Sequence, residues 1–549
     1  MKKWNITGMC QRDDIIPMLL KNRGLDSKKK IEEFLHPSEP HTLPPDAVGI
    51  DRRALKKALA RIQEAINDHE SIVVYTDYDA DGVTAGAIMW EALYALGARV
   101  MPYIPHRVDE GYGLSKKGID TVNEQYHPTL IITVDHGITA REKVAYAKSL
   151  GIDVIVTDHH VKPEKLPDCL VVHTTKLSGA GISWFVAKEI LSTCSTPGVE
   201  PGELLALATI GTIADMVPLV GPNRSIAKYG LAGINATKRV GLEALITDAG
   251  LMKGNIGTYE ISHILAPRLN AMGRLVHAMD ALRLLCTKQK EKAMILAQKL
   301  GLTNKERQQL TIETTHHALQ GVPSFYRKRG DALRKLIFVS HASYNQGVIG
   351  LVAGKLVEEF YRPAIVVSKG DAISKASARS ISGFNIVEAI RTCSDILVAV
   401  GGHPMAAGFT IETQYLSVLR ERLEKFANES LSSEKLERTL RVDAEIPLEA
   451  VTEDLWKAIR EFEPFGFGNL EPVFATRDVT VDDVRLVGSD GKHLKLKISN
   501  TMEAIGFGLG TVYGELKPGT SVDIVYTIDM NTWNGSRRLQ LKLKDIHLQ

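Results

Sequence analysis

A chain of 549 residues is too long for one hydrophobic core and fits about three or four domains. With 44% hydrophobic and 24% charged residues it has the composition of a globular protein, which excludes disordered and fibrous classes. The net charge of +2 neither requires nor excludes a polyanionic ligand, and five scattered cysteines (Cys10, Cys169, Cys194, Cys286 and Cys393) without a C-x-x-C pair argue against a disulfide framework or a zinc knuckle.

The start, Met1-Lys2-Lys3-Trp4, leads into mixed polar sequence with no apolar h-region, and no stretch reaches the ~18 apolar residues of a membrane span. A cytoplasmic protein without membrane contact is expected. Residues 1–50 read as a helical lead-in ending in a Pro-rich linker at 37–45. Over 51–223, strand and helix patterns alternate to about Leu219, as a parallel α/β sheet requires. Ile72-Val73-Val74-Tyr75 runs into Asp77-Tyr78-Asp79-Ala80-Asp81-Gly82, Leu130-Ile131-Ile132-Thr133-Val134 into Asp135-His136-Gly137, and Val154-Ile155-Val156 into Asp158-His159-His160. Parallel strands present their carboxyl ends to one crevice, so carboxylates and imidazoles should converge there.

Residues 224–330 read as a helical connector, clearest at 282–285 and 289–320. A second α/β domain is expected over 331–428, with strands at 336–339 and 364–367, a helix at 348–359, and an end near the turn Gly401-Gly402-His403-Pro404. From 441 to 549, period-two runs such as His493-Leu494-Lys495-Leu496-Lys497-Ile498 predict a small β-barrel.

Hard divalent cations prefer carboxylate oxygens, and one or two imidazoles extend the choice toward manganese, so the Asp-rich set favours Mn2+ or Mg2+ over zinc. The spacing of Asp77 and Asp79 lets a sharp loop direct each to a different ion; Asp135 is placed to bridge two ions, His159 to ligate one, and Asp215 in Gly211-Thr212-Ile213-Ala214-Asp215-Met216 to add a carboxylate. Two ions about 3.5–4 Å apart activate water and stabilise the leaving oxygen in phosphodiester hydrolysis. Taken singly, each strand-end Asp is equally suited to cap a following helix. Capping does not explain the set.

These motifs, with Pro267-Arg268-Leu269-Asn270-Ala271-Met272-Gly273-Arg274 and Gly401-Gly402-His403, resemble the DHH phosphoesterase superfamily and, within it, the RecJ family, over nearly the whole chain. The resemblance implies a DHH domain, a DHH-associated domain with the active site between them, and a C-terminal OB fold that includes Glu463-Pro464-Phe465-Gly466-Phe467-Gly468-Asn469. It also implies 5′→3′ hydrolysis of single-stranded DNA to mononucleotides with two divalent cations, in recombination and repair. The catalytic set becomes Asp77, Asp79, Asp135, His159, His160 and Asp215. Arg107, beside Glu110-Gly111-Tyr112-Gly113-Leu114, resembles a loop close to the DNA path, and Arg268, Arg274, Ser377 and Arg379 match positions at or near phosphate contacts. Arg suits bidentate phosphate recognition, though any lone Arg also fits a surface ion pair.

Gly401, Gly402 and His403 can bring backbone N–H groups and an imidazole against a phosphate, or form a plain turn. Tyr112, Phe384 and Trp533 are candidate base platforms, though each taken singly reads better as core. His136 and Asn345 depart from the family pattern, where a small or neutral polar residue and a His respectively are common. Acidic residues outnumber basic ones after Arg441, so the barrel either binds DNA through a local groove or docks proteins. Besides single-stranded DNA, the candidate partners are a single-strand-binding protein and a RecQ-type helicase. The rivals are a DHH phosphoesterase of short oligonucleotides and a non-catalytic replication scaffold.

Overall fold

The computed structural model describes residues 2–10, 14–107, 109–193, 199–321, 334–488, 490–533 and 536–549, with the backbone alone at 533 and 536. It opens on a strand where the sequence suggested only helix: β1 (Lys3–Ile6) pairs in parallel with Thr439–Val442. Four residues of alternating exposure are too short a run to show a strand period from sequence. By contact the chain divides into two units, Ser27–Glu306 with Phe462–Leu470, and Met1–Asp26 with Arg307–Glu461 and Glu471–Gln549.

In the first of these, five apolar runs become β2 (Ser71–Thr76), β3 (Arg99–Tyr103), β4 (Leu130–Val134), β5 (Asp153–Asp158) and β6 (Leu170–His173). They form one parallel sheet in the order β3-β2-β4-β5-β6. Strand side chains alternate between faces, and here both faces are covered. Ile72, Val74, Leu130, Ile132 and Ile155 join a core with the Ala80–Ala95, Gly179–Leu191 and Pro201–Ala214 helices. Val73, Tyr75, Ile131, Val154 and Val156 pack instead on the Lys116–Tyr126 and Arg141–Ser149 helices. The helix after β2 therefore covers one face and the helix after β4 the other. Between these neighbouring strands the connections diverge and leave a crevice at the carboxyl ends, the usual ligand position in such sheets.

Strand alternation stops at His173, well before the expected Leu219, because the Gly179–Leu191 and Pro201–Ala214 segments are helices. Both are apolar around nearly their whole circumference and buried, so neither shows the 3.6-residue stripe that betrays a surface helix. Arg224 is a hub of this unit. Its guanidinium, 1% exposed, donates to Phe34 O at 2.6 Å, Phe462 O at 2.9 Å and Glu463 O at 2.7 Å, and lies 3.9 Å over the Phe34 ring.

In the other unit, β7 (Ile337–His341), β8 (Ala364–Ser368), β9 (Ile373–Arg379), β10 (Leu397–His403) and β11 (Ala406–Glu412) form a sheet in the order β10-β11-β9-β8-β7, parallel only between β7 and β8. The Ile349–Phe360 helix covers one face and the Ile386–Arg391 and Leu416–Ser430 helices the other. The expected turn at Gly401-Gly402-His403 is instead the end of edge strand β10, paired to Gly408, Ala407 and Ala406, with the reversal at Pro404-Met405. A Gly-Gly strand end carries no apolar alternation to read. Thr439–Val442 (β12) and Ala444–Glu445 (β13) lead into a barrel of β14 (Phe474–Val487), β15 (His493–Ile498), β16 (Met502–Gly506), β17 (Ser521–Trp533) and β18 (Ser536–Leu548), closed by the β14–β17 pairing. Among the described residues no helix is long and apolar enough to cross a membrane.

Replacing Arg224 by Leu strands the carbonyls of Phe34 and Glu463 in the interior, at about 1–3 kcal/mol for each unsatisfied group, and leaves Phe462 O with Asn469 as its donor. Urea melts of Arg224→Leu are expected to show a loss of about 3 kcal/mol or more. An unchanged midpoint contradicts the hub.

Candidate metal centre

The carboxyl end of β2 turns sharply through Asp77-Tyr78-Asp79 into the Ala80–Ala95 helix. Asp77 accepts the Tyr78 N–H at 2.7 Å, while Asp79 caps the helix by accepting the Gly82 N–H at 3.0 Å. For Asp79, capping and ligation are thus not alternatives, because a carboxylate has a second oxygen to offer. After β4, Asp135 takes up a left-handed backbone (φ +68), uncommon outside Gly but accessible to Asp, and fixes its N–H on Thr157 O at 3.0 Å. After β5 comes His159, and Asp215 sits at the end of the Pro201–Ala214 helix.

These ends meet. Ligating atoms of Asp77, Asp79 and Asp135 lie within 4.8 Å of one another, as do those of Asp135, His159 and His160, and of Asp81, His159 and Asp215. His159 Nε2 is 3.2 Å from Asp135 Oδ1 and 3.6 Å from Asp215 Oδ2. Asp135 belongs to two groups, which is what a bridging carboxylate needs. Its Oδ1 is buried without a hydrogen-bond donor.

The electrostatics are those of anions crowded out of water. Burial, and then the charge of Asp79, holds Asp77 far above the usual carboxylate range. Asp135 is raised likewise by burial and by Asp81, Asp79 and Asp77. Asp215 is pushed up to about 9 by burial and the same three neighbours. An orphaned buried oxygen among mutually repelling carboxylates, with one imidazole facing them, fits a hard divalent cation or a pair of them.

Two carboxylates of the motifs do something else. Asp81, 2% exposed, accepts the Gly179 N–H at 2.7 Å and the Ala180 N–H at 2.9 Å, an anion on the start of the Gly179–Leu191 helix. That contact brings the backbone at Gly179 so close to the Asp135 side chain that any Cβ there would collide with it. Burial and the Asp79 charge raise Asp81 to about 6. Asp158 is not free to ligate either: it accepts the Ile138 N–H at 2.8 Å, and the His160 N–H and Nδ1 at 3.0 and 2.8 Å. Burial alone would raise Asp158, but His160 outweighs it and holds the carboxyl below its ordinary value. Burial would lower His160, and Asp158 reverses that to a raised value. Of the Asp158-His159-His160 triad, His159 faces Asp135 and Asp215, His160 is oriented by Asp158, and its Nε2 lies 3.4 Å from the Tyr112 hydroxyl.

The expected substrate residues fall into two sets. Arg107 lies beside the centre, its guanidinium 5.0 Å over the Tyr78 ring, which itself packs edge-on against Tyr112. Arg274 belongs to the Ala266–Leu275 helix, whose Asn270 accepts the Ala80 N–H at 2.8 Å and whose Gly273 abuts Tyr78 O. Arg268 is occupied by Ile264 O at 2.9 Å and Asp248 at 3.6 Å.

Ser377, Arg379, Gly401, Gly402 and His403 lie in the other unit. Across β9, β11 and β10, Ser377 is opposite Gly408 and Gly401, and Arg379 opposite Ala406 and His403. Opposed residues share a sheet face, so Ser377, Arg379 and His403 flank a floor of Gly401, Gly408 and Ala406. Arg379 Nη1 donates to Ser377 Oγ at 3.2 Å. Gly402 carries its neighbours past Ala406 O and Ala407 in a conformation (φ +140) that no Cβ would fit.

Among the other residues singled out, Tyr112 is 56% exposed, whereas Phe384 is core at 5%, and the side chain of Trp533 lies outside the described residues. His136 is buried, with Nε2 3.1 Å from Tyr75 O, and burial lowers it to about 4, so it is a neutral packing residue. Asn345 accepts the Gly347 N–H at 2.7 Å. Sequence reading missed the supporting roles of Asp81 and Asn270. Both stood in quoted motifs, but no spacing rule shows which carboxylate faces inward.

Family models match three segments: the DHH family, N-terminal domain, over residues 71–212, the DHHA1 domain over 334–429, and the RecJ OB domain over 442–545. The chain is 38% identical to the single-stranded-DNA-specific exonuclease RecJ of Bacillus subtilis, over 98% of this chain and 69% of that protein. Crystal structures of RecJ from Thermus thermophilus, in complex with Mn2+ and with Mg2+, match with TM-scores of 0.84 and 0.78 at 29% and 28% identity, covering 100% of this chain and 80% and 78% of theirs.

A carboxyl raised as far as that of Asp215 keeps its proton at neutral pH while no cation is bound, and a cation takes the deprotonated form. Binding of Mg2+ at pH 7 is therefore expected to release protons, and apparent affinity to climb as pH rises from about 7 to about 9. By the same sign, the chelated protein loses stability over that window as charge appears in the centre. Calorimetric titration in buffers of different ionisation enthalpy measures the release. Zero release with pH-independent affinity contradicts it.

Proposed function

This chain belongs to the RecJ family of single-stranded-DNA-specific exonucleases, and from that premise we propose that it is a metal-dependent phosphodiester hydrolase that degrades single-stranded DNA from the 5′ end to mononucleotides, in recombination and repair. The observation that carries the reading is Asp135, shared between two ligand groups at the crevice where the sheet's connections diverge. Asp77, Asp79, Asp135, His159 and Asp215 would hold a pair of Mn2+ or Mg2+ ions, which when bound supply an activated water and neutralise charge at the scissile phosphate.

The chain's own groups do the rest. Asp158 fixes the ring of His160 and keeps a proton on Nδ1, leaving Nε2 at the Tyr112 side of the centre. Arg107 and Arg274 offer positive charge beside Tyr78. Ser377, Arg379 and His403, around their glycine and alanine floor, form a face to which a phosphate can approach backbone closely. On the barrel, Arg485, Lys495, Lys497 and Arg538 line one hollow with Asp483 and Glu503, the last paired to Lys495 at 3.0 Å, and the surplus of positive charge supports a local strand groove despite the acidic balance of the domain. That groove argues against a substrate of only two or three nucleotides, and the complete ligand set argues against a silent scaffold. A single-strand-binding protein and a RecQ-type helicase, in the cytoplasm, are the partners this reading implies.

End-labelled single strands of graded length, incubated with the full chain and Mn2+ or Mg2+, are expected to yield mononucleotides first from the 5′ end. Chelation should stop the reaction, and Asp135→Asn should slow it by roughly 100-fold or more, the loss typical when charge stabilisation is removed from a site. Cutting of a circular single strand at the rate of a linear one would refute the assignment.

A further inference from the structure

Residues Phe462–Leu470 belong to the unit that holds the metal centre, although the chain on either side of them belongs to the other. Their base is fixed from below. Asn469, 1% exposed, donates to Phe462 O at 2.8 Å and Pro464 O at 3.0 Å, and Arg224 holds Phe462 O and Glu463 O as well. Gly466 and Asn469 exchange backbone hydrogen bonds of 2.9 and 3.1 Å, closing a tight turn with Phe467 and Gly468 at its tip. Gly468 supplies the left-handed residue (φ +76) such a turn requires.

The turn rests on the segment that leaves the metal centre. Leu219 N–H donates to Phe467 O at 2.7 Å, and a side chain on Gly468 would strike Pro218. Leu219 follows Asp215 by so few residues that the two cannot be more than about 14 Å apart. What this anchored turn displays is apolar: Phe467 is 54% exposed and Leu470 64%, and the segment it rests on exposes Met216 at 64% and Val220 at 45%. The core is already served by Phe462, at 1%. A half-exposed ring outside the hydrophobic core, on a turn anchored by hydrogen bonds beside the segment that leaves the metal centre, loses little conformational freedom when it binds. The turn Phe465-Gly466-Phe467-Gly468-Asn469-Leu470 carries no charge with which to hold a phosphate. Its complement is the flat apolar face that every unpaired nucleobase offers, whatever the sequence.

We propose that Phe467 stacks on a base of the bound single strand and so positions the strand beside Asp215; the proposal rests on the single-strand exonuclease reading. The test compares wild type, Phe467→Ala and Phe467→Trp, each as the full chain, on an ordinary strand and on one of equal length whose nucleotides lack bases. The loss of one stacked base corresponds to a KM about 5- to 150-fold higher for Phe467→Ala on the ordinary strand, with Phe467→Trp restoring it. On the base-free strand wild type should show a comparable loss, and the alanine variant no further one, because the partner of the ring is already gone. Equal KM for wild type and Phe467→Ala on the ordinary strand, or an additional loss for the variant on the base-free strand, overturns the proposal and leaves the turn as a protein-docking surface. Failure of wild type to cut any strand would instead sink the exonuclease reading, and this proposal with it.

Discussion

The fold is organised around an unfavourable interaction, the mutual repulsion of carboxylates buried at the ends of parallel strands. Asp77, Asp81 and Asp135 are each nearly inaccessible to water, and Asp79 and Asp215 stand against them. Desolvating one unpaired anion costs several kcal/mol, and neighbouring anions add to that cost. Protons or a divalent cation relieve it. A protein that keeps such a cluster gives up stability in the cation-free state for a centre whose affinity is built in.

The remaining structure holds that cluster together by giving each acidic group a different solution. Asp81 is stabilised by the start of the Gly179–Leu191 helix and Asp158 by the Ile138 N–H and His160, so neither depends on metal. Asp135 has no such relief at Oδ1, and its left-handed backbone turns it into the crevice. Supporting carboxylates thus set the positions of helix and imidazole, and the unsupported one is the ligand we propose for the cation. This division explains why acidic residues so similar in sequence differ in chemistry.

Much of this was legible beforehand, and the exceptions have physical reasons. The strands showed themselves because β-branched runs ended in Asp or His, and the convergence of those ends follows from parallel topology. The Gly179–Leu191 and Pro201–Ala214 helices were hidden, since a helix buried all round has no polar face to set a period. The strand at Gly401–His403 was hidden by glycines, and the exposure of Tyr112, which taken singly read as core, by the rule that an aromatic residue alone does not declare which side of it faces solvent. Asp81 and Asp158 lay inside recognised motifs, yet their inward hydrogen bonds depend on Gly179, Ala180 and Ile138, which are distant in sequence or carry no signal of their own. The display of Phe467 depends in the same way on Leu219 and Arg224.

In the proposed centre Asp135 joins two cation sites. Electron paramagnetic resonance of the full chain titrated with Mn2+ tests it most directly, because two ions sharing a carboxylate about 3.5–4 Å apart are magnetically coupled, whereas isolated ions are not. Two Mn2+ are expected to bind per chain, with a coupled-pair spectrum that Asp135→Asn abolishes. A spectrum of isolated Mn2+ at saturation, unaffected by Asp135→Asn, would contradict it.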